Sequence, residues 1–144
     1  MNVAFKEVQA WISTAVTILV FAYYVVQAPH AATTADMYRL VVGVMIAVVV
    51  LQLVLFAIAA VMHRPENTDE RDRLIATKSL RNAYFVFVAG TIPLIFLVLE
   101  RPAPLLSSAS VPLPALVVHW LVLTMAASEL FRTASVIFYY RRGA

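Results

Sequence analysis

Glu129 and Arg132 stand three residues apart in the last long apolar region of the chain, which also holds His119. On a helix this spacing puts carboxylate and guanidinium on one face, where each can neutralise the other. An isolated charge in a lipid slab is costly, so an intramembrane acid is a site candidate by default. Thr124, Ser128 and Ser135 continue a polar stripe beside the pair. A second stripe, Gln9, Ser13, Thr17, Tyr24 and Gln27, recurs at spacings of 4, 4, 7 and 3 in the first apolar region, which again marks one helical face. Each stripe has two uses. It can lock helices together through side-chain hydrogen bonds, the commoner role of hydroxyls and amides in lipid, or it can line a path for water, an ion or a ligand. The ligand or ion candidates are therefore Glu129, Arg132, Ser128, His119, Gln9, Ser13, Thr17 and Tyr24, and the place to look is between the first and last helices.

Other chemistries lack their residues. The chain has no cysteine, and His30, His63 and His119 fall in separate regions, so neither a metal with three or more donors nor a haem between two histidines is expected. Three glycines leave little room for a phosphate-cradling turn, and no Ser/His/Asp set or carboxylate pair shares one level of the slab. The expectation is a non-enzymatic protein without cofactor or metal.

The elements that must hold these side chains follow from hydropathy. Of 144 residues 62% are hydrophobic and 13% charged, with a mean hydropathy of +0.86, too apolar for a soluble domain of this size. Four runs, 8–35, 40–63, 82–99 and 102–128, contain no Asp, Glu, Lys or Arg. A slab about 30 Å thick needs roughly 20 helical residues. The expected fold is all-α, an integral membrane four-helix bundle in one transmembrane domain, with spans at about 5–27, 38–62, 80–99 and 114–138. The first run lacks a small-residue cleavage site after a short apolar core, so it is expected to be kept as a helix rather than removed as a signal. Alternating apolar and polar segments of a barrel are absent.

Charge sets the expected orientation. Of eleven Lys and Arg, nine lie at the N-terminus, in the middle loop and at the C-terminus, and only Arg39 and Arg101 lie opposite. That asymmetry predicts both termini in the cytoplasm, N-in and C-in, and it accounts for the net charge without a nucleic-acid partner.

Local signals refine the helices. Pro29 should end the first, and Asp36 is placed to cap the second. Gly43 and Ala47 form a small-xxx-small pair suited to close backbone approach, and Gln52 sits nearly alone in its apolar run; both read as packing. Asn67 followed by Glu70 forms a capping box, and Asp69 and Glu70 are spaced to pair with Arg73. A third helix over 68–99 would then project about 20 Å beyond the slab into the cytoplasm, with a kink at Pro93. The fourth begins near Pro112 or Pro114, and Tyr139, Tyr140, Arg141 and Arg142 form an inner interfacial anchor. Measured from Pro114, Glu129 and Arg132 reach the inner interface; measured from the anchor, they lie several residues inside it.

Asp69-Glu70-Arg71-Asp72-Arg73-Leu74-Ile75, then Lys78, Ala83-Tyr84 and a helix reaching Ala89-Gly90, resembles small bacterial four-span membrane proteins of the domain family of unknown function numbered 2178. About twenty residues carry the likeness. It implies a cytoplasmic Asp-Glu-Arg motif ahead of the third span, a bacterial inner membrane, and an accessory or regulatory role, with Asp69, Glu70, Arg71 and Arg73 as partner-contact candidates. The leading expectation is a subunit that self-associates or binds a larger membrane complex. The alternative is a small dimeric transporter or channel with Glu129 as coupling acid.

Overall fold

The structure, a computed structural model, describes residues 5–31, 33–62, 69–99 and 113–142. It consists of α1 (Phe5–Gln27), one turn of 3-10 helix (Ala28–His30), α2 (Thr34–Met62), α3 (Glu70–Leu99) and α4 (Leu113–Arg142), with no strand among the described residues. Four helical segments are long and apolar enough to cross a membrane. That is the form lipid demands, because a helix bonds its own amides and carbonyls.

The ends follow local chemistry. Beyond Gln27 the chain tightens into the 3-10 turn that carries Pro29, closed by Ala31 N–H donating to Ala28 O at 3.3 Å. At the start of α2 the cap is Thr33 rather than Asp36. Asp36 N–H donates to Thr33 Oγ1 at 3.1 Å, while Thr33 N–H and Oγ1–H donate to Asp36 Oδ2 at 3.2 and 2.7 Å. Asp36 is thus the far half of a capping box, and the helix begins three residues earlier than 37. Asn67, the expected cap of α3, lies outside the described residues; α3 opens at Glu70, whose N–H donates to Asp69 Oδ1 at 2.6 Å. Pro93 sits inside α3, where it withholds a donor from the Ala89 carbonyl.

Packing departs from a closed bundle. α1 lies between α2 and α4, α4 between α1 and α3, and α2 and α3 do not pack along their lengths. The four helices form a trough, with α1 and α4 as floor and α2 and α3 as walls. Tyr24, Val16, Val20, Ala28, Val44 and Val122 make the main core, and Ala10, Ile75 and Val136 a smaller one nearer the chain termini. α2 fully buries only Val44 and Ala59 and packs Leu40, Val41, Met45, Ala47, Val48 and Leu55 partly against the core, leaving an outer face that includes Ile46, Val49, Val50 and Leu53 exposed.

Two further expectations change. Gly43 meets nothing within 4 Å, so it mediates no close approach within the chain; the tight contact is at Gly90, where a Cβ would fall 2.5 Å from Thr124 Cγ2. Nor does α3 project alone. Asp72 accepts from Tyr140 Oη at 2.5 Å and lies 3.4 Å from Lys6 Nζ, so the first turn of α3 is level with the last turn of α4 and the first of α1. The apolar ruler missed this because α1 and α4 also continue as helices through their charged ends.

Candidate functional site

On the trough floor, Glu129 and Arg132 form a two-point ion pair. Arg132 Nε donates to Glu129 Oε2 at 2.8 Å and Nη2 to Oε1 at 2.6 Å. Oε1 also accepts from Ser13 Oγ at 2.8 Å, and Ser13 in turn accepts from Gln52 Nε2 at 2.9 Å. Three helices therefore converge on one carboxylate. Both its oxygens are engaged, Oε1 by Arg132 and Ser13 and Oε2 by Arg132, so three hydrogen bonds hold the carboxylate in its charged form.

The level of this cluster follows from helix geometry. At 1.5 Å per residue, Glu129 lies about 20 Å from the Arg142 end of α4, Gln52 about 15 Å from Met62, and Ser13 about 12 Å from Phe5. Were a slab about 30 Å thick centred on an α4 about 45 Å long, roughly 7 Å of helix would lie outside it at each end and Glu129 would fall about 12 Å inside. Long basic side chains near a helix end normally reach outward to the interface. Arg132 instead turns back one helical turn to Glu129, following the natural lean of helical side chains toward the N-terminus.

The sequence candidates divide. Glu129, Arg132, Thr17 and Ser128 line the trough with Gln52, and buried Ser13 joins them through its bonds to Glu129 and Gln52. Tyr24, fully buried, meets His119 toward the other end, Nδ1 to Oη at 3.1 Å with the rings stacked. Ser128 donates to the Ala83 carbonyl at 2.9 Å, tying α4 to α3. Gln9 lies lower, beside Lys6. Asp69, Glu70, Arg71 and Arg73 are exposed at the tip of α3; Arg71 reaches the Tyr140 carbonyl at 3.5 Å, while Arg73 forms an ion pair with neither Asp69 nor Glu70.

Sequence reasoning missed Gln52 as a site member, and with it Thr14 and Thr133, which bond each other across α1 and α4 at 2.8 Å. The isolation of Gln52 in an apolar run was the available signal; its partner Ser13 is 39 residues away.

Two cavities open along the trough, with Arg132 lining both. The upper, about 490 Å³, is walled by Phe21, Val44, Met45, Val48, Val122 and Met125 above the ion pair. The lower, about 340 Å³, carries Lys6, Gln9, Asp72 and Tyr140 with apolar neighbours such as Ile75 and Phe56. Arg132 spends two of its five N–H donors on Glu129. Thr17, 5% exposed and lining the upper cavity, has a hydroxyl with no hydrogen-bond partner among the described residues. Among the described residues no group of three or more His, Cys, Asp or Glu could hold a metal. Ser13 does donate to the Glu129 carboxylate, but that carboxylate is held by Arg132 and Ser13 is 1% exposed; what the arrangement offers is polar anchorage inside an apolar trough. Comparison of the chain with family models, curated proteins and solved structures returns no match.

Proposed function

We propose that the protein is a non-catalytic, multi-pass membrane component that works by binding, with the trough between α2 and α3 as its binding surface. The observation behind this reading is the exposure of the ion pair. The side chains of Glu129 and Arg132 keep 30% and 39% of their surface open, at a depth where water is scarce and apolar cover is the rule. A pair serving only to lock helices would be closed on all sides. Here one side faces a cavity.

In this proposal the protein is an accessory or regulatory subunit of the bacterial inner membrane, with both termini cytoplasmic as the distribution of Lys and Arg favours. The exposed turn at Asp69–Arg73 gives it a second contact, outside the lipid, for its own copy or a larger complex. The family resemblance through that same motif supports the placement.

Photo-crosslinking tests the trough. A photoreactive residue at Phe87 or Met125, both lining the upper cavity, should capture one discrete adduct in native membranes. The same residue at Phe131, exposed on α4 outside both cavities, should give only a diffuse lipid smear. Indistinguishable patterns at the three positions would remove the binding reading.

A further inference from the structure

The two cavities differ in chemistry in the order a lipid does. The lower one is charged and hydrogen-bonding, the upper one is walled by aliphatic and aromatic side chains, and Arg132 belongs to both. Resting on the reading of the trough as a binding surface, we propose that it holds one glycerophospholipid with a head group of no net charge, drawn from the leaflet at the Lys6–Asp72 end. The head group fills the lower cavity, one acyl chain rises into the upper, and the phosphate accepts hydrogen bonds from Arg132.

Four observations carry this. First, among the described residues nothing accepts from the three N–H donors that Arg132 has left after binding Glu129, and a guanidinium presents such donors in the fork that suits phosphate oxygens. Second, the charged groups along the cavities are Lys6 and Arg132 against Asp72 and Glu129. They sum to zero, which favours a zwitterion over an anion; the ammonium lies with Asp72 and Tyr140 and the phosphate with Arg132. Third, Thr17 lines the upper cavity one helical turn beyond Ser13, on the side where ester carbonyls follow a phosphate along a lipid. Its covered hydroxyl has no hydrogen-bond partner among the described residues, so a rotation about χ1 that presented it to such a carbonyl would break no bond. Fourth, each cavity is lined from α2 and α3 at once and has a volume typical of small-molecule sites. A transmembrane helix about 10 Å across needs a wider gap.

Native mass spectrometry of the delipidated protein tests the assignment, with phosphatidylethanolamine, phosphatidylglycerol and inorganic phosphate as separate probes. One phosphatidylethanolamine per chain should bind, about tenfold more tightly than phosphatidylglycerol, and inorganic phosphate should not displace it. Ala126→Phe and Val48→Phe, which fill the upper cavity from the floor and from one wall, should each abolish binding while helicity and monodispersity are kept. The double variant Glu129→Gln/Arg132→Met should weaken it about tenfold. Phe131→Ala should bind as the parent does. Equal or stronger binding of phosphatidylglycerol overturns the neutral head group. Displacement by inorganic phosphate overturns the lipid source. Unchanged binding in both cavity-filling variants overturns the site. If no lipid binds but Phe87 and Met125 still crosslink to a discrete protein, the trough reading stands and the lipid alone falls; with neither, both fall.

Discussion

Gly90→Ala tests the close approach of α3 to α4. A methyl group there would lie 2.5 Å from Thr124 Cγ2, 3.0 Å from Oγ1 and 3.3 Å from Cβ, where carbon atoms normally settle at about 3.5–4.0 Å. Rotating Thr124 relieves the first contact by moving Oγ1 or hydrogen into its place, but the contact with Cβ survives any rotation. Thr124 is 6% exposed, so it has little room to turn. The facing turn is also pinned by Trp120 Nε1, which donates to the Gly90 carbonyl at 2.6 Å. Overpacking of this kind costs about 1–3 kcal/mol, against which alanine returns up to about 1 kcal/mol as the better helix former. The net expectation is a loss of about 1–2 kcal/mol. Equilibrium unfolding in mixed micelles, followed by tryptophan fluorescence, measures it. Thr124→Ala removes the two nearest atoms, so adding Gly90→Ala to it should cost less than about 0.5 kcal/mol further, a non-additivity that marks direct contact. Gly43→Ala, with nothing within 4 Å, should be neutral or stabilising. If Gly90→Ala is as stable as the parent, or is not rescued in the double variant, α3 and α4 do not meet as described.

The ion pair gives a second cycle. Arg132→Met alone should destabilise by about 2–4 kcal/mol because it strands the Glu129 carboxylate, the partial exposure of the pair holding the cost below the full buried value. Glu129→Gln/Arg132→Met should lose only about 1 kcal/mol in the same titration; additive single and double losses would mean the two groups are not coupled. Thr17→Val, nearly isosteric, removes a hydroxyl that has no protein partner, so stability should hold or rise by up to about 1 kcal/mol. In the same variant lipid retention should fall, and a drop in stability instead would show that the hydroxyl is satisfied within the protein.

Four helices could be read from the sequence because lipid makes a single demand, about 20 apolar residues in a row, and each of the four runs meets or nears it. Most helix ends could be read too, from caps and prolines rather than from the apolar runs: α1 covers Phe5–Gln27 as expected, α3 opens at Glu70, two residues from the expected 68, and α4 opens at Leu113, while α2 starts three residues before 37 because Thr33 and not Asp36 is its cap. The site was half legible. Spacing placed Glu129 with Arg132 and put Ser13 and Thr17 on one face, because both are local properties of a helix. It could not show that Gln52 joins them, or that α2 and α3 stand apart. Pairing between helices depends on which faces meet, and α2 is so uniformly apolar that its sequence marks no face beyond that lone amide. The small-residue motif misled for the same reason: Gly43 has a suitable neighbour at Ala47 but no helix opposite it in this chain.

The trough also bears on how the protein is made. α1 with α2, and α3 with α4, are two hairpins in chain order, and what joins them is the contact of α1 with α4. That seam is latched by hydroxyls and charges: Glu7 with Arg141, Ser13 with Glu129, Thr14 with Thr133, and Tyr24 with His119. During synthesis the first hairpin reaches the bilayer with those groups uncovered, and the seam closes only once α4 has entered. Because Arg132 finds its counter-charge on its own helix, the part of α4 ahead of its basic last turn, Arg141 and Arg142, carries no net charge and can be inserted without a counter-charge from another helix. Local pairing at an interval of three residues thus makes α4 fit to enter lipid first and to assemble afterwards.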